Sequence, residues 1–139
     1  DGTSSVATTG VISPNGITMS PDEKTLYVAS YKPKTIEEFP VVSPGVLGDQ
    51  QRFAMMDDGD APGADGMAID SASNVYCAGA TAVWIWNSAG QLLEKIECPT
   101  RPINATFGGA DRKTLFITCF DGVYALPMKT SGVKPADGL

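Results

Sequence analysis

The chain has 139 residues, a net charge of −6 and no histidine. Its acidic balance and scattered Lys and Arg residues argue against nucleic-acid binding, because that function needs a basic surface that neutralises phosphates. No apolar run approaches the roughly 20 residues that a membrane-spanning helix requires, so no membrane association is predicted either.

Short strands separated by turns are predicted along the chain, and no helix is predicted. The strands are indicated by runs of β-branched and aromatic residues between clusters of turn-forming residues. In chain order, an outer strand at 4–10 is followed by strands at 17–20, 25–30, 35–39 and 52–56, then at 67–70, 74–78, 82–86 and 92–97, and finally at 103–107, 114–119 and 123–126. Residues 40–51 are predicted to form a loop, and residues 129–139, which are polar and contain Gly and Pro, a mobile C-terminal tail.

One pattern of turn and strand occurs three times. The sequence PNGI at 14–17 precedes TLYVA at 25–29, ADGM at 64–67 precedes NVYCA at 74–78, and INAT at 103–106 precedes TLFIT at 114–118. The alignment makes Asn15, Asp65 and Asn104 equivalent, with separations of 50 and 39 residues. A repeat of about 40–50 residues made of short strands and tight turns is typical of β-propeller blades. We therefore predict an all-β fold of about three four-stranded blades over residues 1–128.

The number of repeats has a consequence for the edges of such a structure. A propeller closes only with four or more blades, so three repeats form an arc with two open edges. Open edges favour pairing with another chain. We therefore expect the chain to be part of a longer protein or to be completed by a second chain.

Asn15 and Asp65 are the first candidates for a functional site, because equivalent positions in propeller blades face a common axis. Their side chains supply hard oxygen ligands of the type that Ca²⁺, Mg²⁺ and Mn²⁺ prefer. Each precedes a glycine that lets the backbone turn sharply. The alternative is that Asn-Gly and Asp-Gly are only turn dipeptides. Asn104, which is followed by alanine, could contact a substrate or cap a turn.

The absence of histidine narrows the chemistry further. It excludes a Ser-His-Asp or Cys-His apparatus and a histidine-ligated zinc site within this chain. A hydrolytic function would have to use carboxylates, amides and a bound ion.

Other conspicuous residues are predicted to be structural. Trp84 and Trp86 share one strand face and are expected to pack between blades, and Cys77 is expected to be a small buried hydrophobe. The chain has three cysteines, an odd count that argues against a disulfide framework. The acidic cluster at 57–60 is interpreted as a solvated turn rather than a Ca²⁺ site, since it lacks the ligand spacing of an EF-hand.

The three motifs, in their order and spacing from about residue 11 to 128, resemble the gluconolactonase / senescence marker protein (regucalcin) family. The resemblance is carried by PNGI with SPD and TLYVA, by ADGMAID, and by RPINATFGG followed by TLFIT. It implies a six-bladed propeller with one divalent cation on its axis (Ca²⁺, Mg²⁺, Mn²⁺ or Zn²⁺) and hydrolysis of sugar-acid lactones or related esters. Two positions depart from the family pattern: Ala64 stands where proline is frequent, and Ser30 where aspartate is common.

The resemblance also implies roles for individual residues. The metal ligands of the family fall on Asn15 and Asp65, and Asp65 is also implied as the general base. A third ligand, a glutamate, has no counterpart here. The chain therefore corresponds to roughly the C-terminal half of such an enzyme, and we expect it to be inactive alone.

Two other functions remain open. One is a non-catalytic propeller that binds a partner or small ligand on the same face, and the other is a half-propeller of which two copies close a ring. The expected partners are a small lactone or ester substrate and a missing half or second copy that completes the propeller. A cytoplasmic location is favoured over a periplasmic or secreted one.

Overall fold

The computed structural model describes residues 2–59, 61 and 63–134, which fold into three antiparallel β-sheets in chain order. The first sheet contains β1 (Pro14–Met19), β2 (Thr25–Ser30), β3 (Thr35–Ser43), β4 (Val46–Leu47) and β5 (Gln51–Met55). The second contains β6 (Met67–Ile69), β7 (Val75–Ala78), β8 (Ala82–Trp86) and β9 (Leu92–Glu97), and the third β10 (Pro102–Gly108), β11 (Thr114–Cys119) and β12 (Gly122–Pro127). The described part of the chain holds no helix with the length and apolarity needed to cross a membrane.

The three sheets stack side by side through their first strands. β1 contacts β6, and β6 and β7 contact β10. One apolar cluster fills the space between the first two sheets, and its larger members are Tyr27, Ile36, Met56, Met67, Val75, Trp84 and Trp86. A second cluster fills the space between the last two sheets, with Tyr76, Val83, Ile85, Leu115 and Ile117. The first three strands of the second sheet, β6 to β8, are therefore buried on both faces.

This double burial explains the composition of the second sheet. Successive side chains of a strand point to opposite faces, so on β8 the tryptophans face the first sheet while Val83 and Ile85 face the third. Both sets must then be apolar, which gives the continuous run AVWIW. The rings of Trp84 and Trp86 stack with centroids 5.8 Å apart, and their predicted packing between blades is confirmed.

The turn between the first two strands has the same geometry in all three sheets. In each, an amide donates to the carbonyl oxygen three residues earlier, and the donor residue has a left-handed φ although it is not glycine. The donor–acceptor pairs are Glu23–Ser20 (2.8 Å, φ 58°), Ser73–Asp70 (3.0 Å, φ 64°) and Arg112–Gly109 (3.1 Å, φ 57°). The repeat seen in the sequence is thus also a repeat of backbone conformation.

Most predicted strands are confirmed. The strands at 25–30, 82–86, 92–97 and 114–119 have the predicted bounds. The third sheet has three strands in the described residues, as many as its sequence pattern indicates. The all-β prediction is confirmed for the part of the chain that the structure describes.

Two predictions near the first sheet are wrong. Residues 4–10 form no strand and are exposed, because no described strand pairs with them and an isolated strand leaves its backbone groups unpaired. Residues 40–51 are not a plain loop. β3 continues through Ser43, and Gly45, with φ of 77°, lets the chain return as β4.

Residues 129–134, predicted to belong to a mobile tail, are instead packed against the sheets. The Ser131 carbonyl oxygen accepts the Ser71 amide at 2.8 Å, and Arg112 Nη1 donates to the Val133 carbonyl oxygen at 2.7 Å. Val133 also packs against the first apolar cluster. The rest of the predicted tail, 135–139, lies outside the described residues.

Candidate functional site

The three equivalent polar residues all lie at the start of the first strand of their sheets. Asn15 is the second residue of β1, Asp65 lies two residues before β6, and Asn104 is the third residue of β10. The register is irregular at the start of β1 and again at the start of β10. Such irregularities redirect side chains and are frequent beside functional sites.

Two glycines bring these residues together. A Cβ atom on Gly16 would lie 2.2 Å from the Asp65 carbonyl oxygen, and one on Gly66 would lie 2.1 Å from Asn104 Oδ1. Each glycine that follows a site residue therefore touches the equivalent site residue of the next sheet. Neither glycine has a positive φ, so a left-handed backbone conformation is not the reason for glycine at these positions. They are needed for close approach between sheets.

Asp65 is held in place by its backbone. Its amide donates to the Ala78 carbonyl oxygen at 2.9 Å, and the Ala78 amide donates to the Gly66 carbonyl oxygen at 2.9 Å. The preceding residue, Ala64, is fully buried with a φ of 57°. Proline, whose ring fixes φ near −65°, could not adopt this conformation.

The carboxyl group of Asp65 is largely buried among polar groups. Its side chain is 16% exposed, and its Oδ2 lies 3.5 Å from Arg101 Nη2. Burial raises the pKa of Asp65, and the Arg101 charge and hydrogen bonds from the Asn15 side chain and the Gly66 amide oppose that rise. Asn15 and Asp65, predicted to act together, are thus in contact.

Arg101 is a site residue that the sequence analysis missed. Its Nη2 also donates to the Tyr31 hydroxyl at 3.0 Å, and its guanidinium lies 5.5 Å from the Tyr31 ring centre and 5.7 Å from that of Phe120. The only sequence signal was its place three residues before Asn104 in the RPIN motif. Its contact with Tyr31, 70 positions away in the sequence, could not be read from any local pattern.

Asn104 lies against Gly66, and its side chain is turned partly towards its own strand. Its Oδ1 accepts the Ala105 amide at 2.9 Å, and its carbonyl oxygen accepts the Thr118 hydroxyl at 3.3 Å. Asn104 is exposed. A contact between Asn104 and substrate stays a prediction.

One residue of the acidic cluster at 57–60 differs from the predicted solvated turn. Asp58 is not a solvated residue: its side chain is 11% exposed, its Oδ2 accepts the Ala80 amide at 3.1 Å, and its Oδ1 lies 3.7 Å from Lys34 Nζ. Through Ala80 it ties the segment after β5 to the turn between β7 and β8, and Lys34, from the turn between β2 and β3, lies beside its other carboxylate oxygen. Asp60, the last member of the cluster, lies outside the described residues.

Cys77 behaves as the predicted buried hydrophobe. It is fully buried, and burial raises the pKa of its thiol. Its Sγ lies 3.8 Å from the Asp65 carbonyl oxygen. A thiol that stays protonated is a poor nucleophile, so Cys77 supports the Asp65 backbone by packing.

The side-chain oxygen atoms of Asn15 and Asp65 suit a hard divalent cation, but two ligands do not complete a metal site. The Asn15 side-chain amide donates to the Asp65 carboxylate, and amide oxygens and carboxylates are the ligand types that Ca²⁺ and Mg²⁺ take. Among the described residues no group of three or more His, Cys, Asp and Glu side chains could hold a metal ion. This chain can therefore contribute two ligands, and others would have to come from water or from outside the described residues.

Three stacked sheets with polar side chains converging at their first strands define a partial β-propeller. Solved WD40-repeat and other β-propeller structures match the chain at 12–19% identity with TM-scores of 0.62–0.67, which shows the fold alone. The chain belongs to the family described as SMP-30/Gluconolactonase/LRE-like region, whose model matches residues 1–121.

Three relatives illustrate the family. A 6-deoxy-6-sulfogluconolactonase of Pseudomonas putida is 33% identical over 75% of this chain and 37% of its own length. A solved gluconolactonase of Xanthomonas campestris is 36% identical with a TM-score of 0.75 over 84% of this chain and 38% of its own. A calcium-binding regucalcin of Agrobacterium tumefaciens is 23% identical with a TM-score of 0.77 over 92% of this chain and 50% of its own. The chain thus spans between 37% and 50% of the length of these relatives.

Proposed function

We propose that this chain carries part of the active site of a metal-dependent lactonase-type hydrolase that opens sugar-acid lactones or related esters. The observation that carries the proposal is the convergence of the first strands: the Asp65 carboxylate is 16% exposed and lies 3.5 Å from Arg101, and Gly16, next to Asn15, packs against the Asp65 backbone. The names of the relatives supply the substrate class. A gluconolactonase and a sulfogluconolactonase both act on lactones of sugar acids.

Asp65 is the proposed general base. Its carboxylate is 16% exposed and lies 3.5 Å from the Arg101 guanidinium, a position in which a carboxylate can take up a proton from an attacking water. It would accept a proton from the water that attacks the lactone carbonyl carbon. When the ring C–O bond breaks, the same carboxyl returns the proton to the departing ring oxygen, and the product is the open hydroxy acid.

Asn15 and Asp65 are the proposed ligands of a divalent cation. Such an ion, when bound, would polarise the lactone carbonyl and stabilise the negative charge that develops on its oxygen. Ca²⁺, Mg²⁺, Mn²⁺ and Zn²⁺ are the candidates. The regucalcin relative is described as a calcium-binding protein, so Ca²⁺ is the first ion to test.

The complete site requires more chain than these residues. Because Asn15 and Asp65 are two ligands only, we propose that further ligands come from the missing propeller half or from a second copy. Alone, the 139 residues should hold metal weakly and show little or no lactonase activity.

The first experiment measures hydrolysis of glucono-1,5-lactone by the native polypeptide that contains this chain, with the uncatalysed rate subtracted. Asp65→Asn should lower kcat by about 10²–10⁴-fold, the usual contribution of a general base. EDTA should abolish activity, and one divalent cation should restore it. Asp111→Asn, which changes an exposed turn carboxylate, is the matched control and should retain full activity.

Two outcomes would contradict the proposal. An Asp65→Asn variant with activity within about threefold of the wild type would remove Asp65 from the chemistry. A wild type that is inactive with every cation would favour the non-catalytic propeller, which binds a ligand on the same face.

A further inference from the structure

We propose that Arg101, held between Tyr31 and Phe120, binds the carboxylate of the ring-opened sugar acid and, before ring opening, the carbonyl side of the lactone. The inference deepens the proposed function and rests on it for the substrate class. It gives the site a specificity-determining group that is distinct from the Asn15–Asp65 pair.

The position of the guanidinium is fixed from all three sheets. Tyr31 follows β2 of the first sheet, Asp65 precedes β6 of the second, and Phe120 follows β11 of the third. Arg101 Nη2 contacts the first two at 3.0 and 3.5 Å, and the Phe120 ring lies 5.7 Å from its guanidinium carbon. With a side chain that is 18% exposed, Arg101 is ordered before any ligand arrives, which lowers the entropy cost of binding.

The guanidinium still has donors to offer. Both polar contacts fall on Nη2, and among the described residues none of the hydrogen bonds uses Nη1. Nε has no hydrogen-bond partner there either, but it is buried, so the donors within reach of a ligand are those of the Nη atoms. A guanidinium has five N–H donors and favours planar, bidentate partners such as a carboxylate. The remaining donors therefore call for an oxygen-rich, anionic group.

Phe120 gives the same place an apolar surface. Phe120 is 72% exposed, and its ring lies 5.7 Å from the Arg101 guanidinium carbon. Its amide donates to the Arg101 carbonyl oxygen at 3.1 Å, and the neighbouring residues Thr100 and Asp121 are joined by a side-chain hydrogen bond. The ring is thus attached firmly beside the guanidinium, where it can cover the C–H face of a sugar-derived ligand.

The charges at the site favour this assignment. An anionic product beside the Asp65 carboxylate alone would be repelled, and the repulsion is strong where water is partly excluded. The Arg101 charge, 3.5 Å from Asp65, offsets it. Arg101 is the group that lets one site hold both a basic carboxylate and a product carboxylate.

The test measures gluconate binding by calorimetry, and KM and kcat for glucono-1,5-lactone, on the native polypeptide that contains this chain. Arg101→Met should weaken gluconate binding by about 10–100-fold, since a hydrogen-bonded charged partner is lost. Arg101→Lys should give an intermediate loss, because it keeps the charge but not the planar fork. Phe120→Ala should weaken binding and raise KM with little change in kcat.

Two exposed residues provide matched controls. Arg52→Met removes an exposed arginine of β5, and Phe116→Ala removes a partly exposed phenylalanine of β11. Both should bind gluconate like the wild type. Thermal unfolding of every variant distinguishes loss of a ligand contact from loss of the folded state. If Arg101→Met does not fold, Arg101→Lys and Phe120→Ala still test the inference.

The outcomes separate this inference from the proposed function. Arg101→Lys and Phe120→Ala variants that bind gluconate as tightly as the controls would overturn it, even if lactone hydrolysis is intact. A wild type that hydrolyses lactone without measurable gluconate binding would overturn it as well. If Asp65→Asn abolishes hydrolysis but still binds gluconate, while the Arg101 variants do not, the inference is supported independently of the catalytic assignment.

Discussion

At the scale of single residues, the spacing between neighbouring sheets is set by glycines rather than by the polar residues that precede them. Gly16 lies against the backbone of Asp65 and Gly66 against Asn104, so these two site residues each rest on the glycine of the sheet before. Any side chain there would push the sheets apart at the point where the site forms. The polar side chains could not converge without these two positions.

Gly66→Ala should therefore be costly. Its Cβ would lie 2.1 Å from Asn104 Oδ1 and 2.7 Å from Asn104 Cα, and the latter atom cannot move without the strand. We expect a loss of about 1–3 kcal/mol in the free energy of unfolding, as for other overpacked positions, together with reduced lactonase activity. Chemical denaturation and the lactone assay measure the two effects.

Gly122→Ala is the matched control for this substitution. Nothing lies within 4 Å of a Cβ atom at Gly122, so stability there should change little. Equal stability of the Gly66→Ala and wild-type proteins would show that the sheets are not in close contact at this glycine.

At the scale of the structural element, Asp70 organises the turn between β6 and β7. Its buried carboxylate accepts the amides of Ala72 and Asn74, both at 2.9 Å, the Asn74 side-chain amide at 2.8 Å and the Tyr76 hydroxyl at 3.0 Å. The equivalent position in the first sheet is Ser20, whose Oγ accepts the Thr25 amide at 2.9 Å. Different side chains thus accept the turn amides in the two sheets.

Asp70→Ala should destabilise the protein by about 3–5 kcal/mol, since it leaves several donors of a buried network without an acceptor. The free energy of unfolding from a denaturant titration measures this. Asp111→Ala provides the comparison: Asp111 is exposed and accepts one backbone amide, from Lys113 at 3.0 Å. That variant should lose less than about 1 kcal/mol, and a similarly small loss for Asp70→Ala would contradict a central role for the network.

At the scale of the whole molecule, the outer faces of the arc are open. The second sheet is covered on both sides, whereas Ile17 on β1 is 62% exposed and Val123 on β12 is 69% exposed. Ile17 points away from the second sheet, because its neighbour Gly16 faces that sheet. Apolar side chains at both ends of the arc suit burial against further blades, from the same polypeptide or from a second copy.

The isolated chain should accordingly self-associate in a concentration-dependent manner. Sedimentation equilibrium measures this, and Ile17→Lys combined with Val123→Lys should shift the protein towards monomer, since a charge cannot be buried unpaired at an interface. Val46→Lys, at an exposed position of the β4 hairpin, is the control. A monomer at all concentrations would exclude the self-assembling half-propeller and leave the remaining blades of a longer polypeptide to cover these faces.

The sequence by itself determined most of the strands, their repeat and the equivalence of Asn15, Asp65 and Asn104. These follow from local chemistry: runs of β-branched and aromatic residues, turn residues at fixed offsets, and polar residues at the same point of each repeat. The two tryptophans could also be assigned to one strand face, because side-chain alternation needs no knowledge of the partner sheet.

Only the tertiary structure decided which residues meet. Arg101 joins Asp65 and Tyr31 from a third sheet, Asp58 is held by Lys34 and Ala80, and residues 129–134 pack across two sheets. These contacts join segments that are far apart in the chain. From their neighbours in the sequence alone, the same polar residues are equally compatible with solvated turns or a mobile tail. The roles of Gly16 and Gly66 were hidden for the same reason, because close approach between sheets has no signature within either strand.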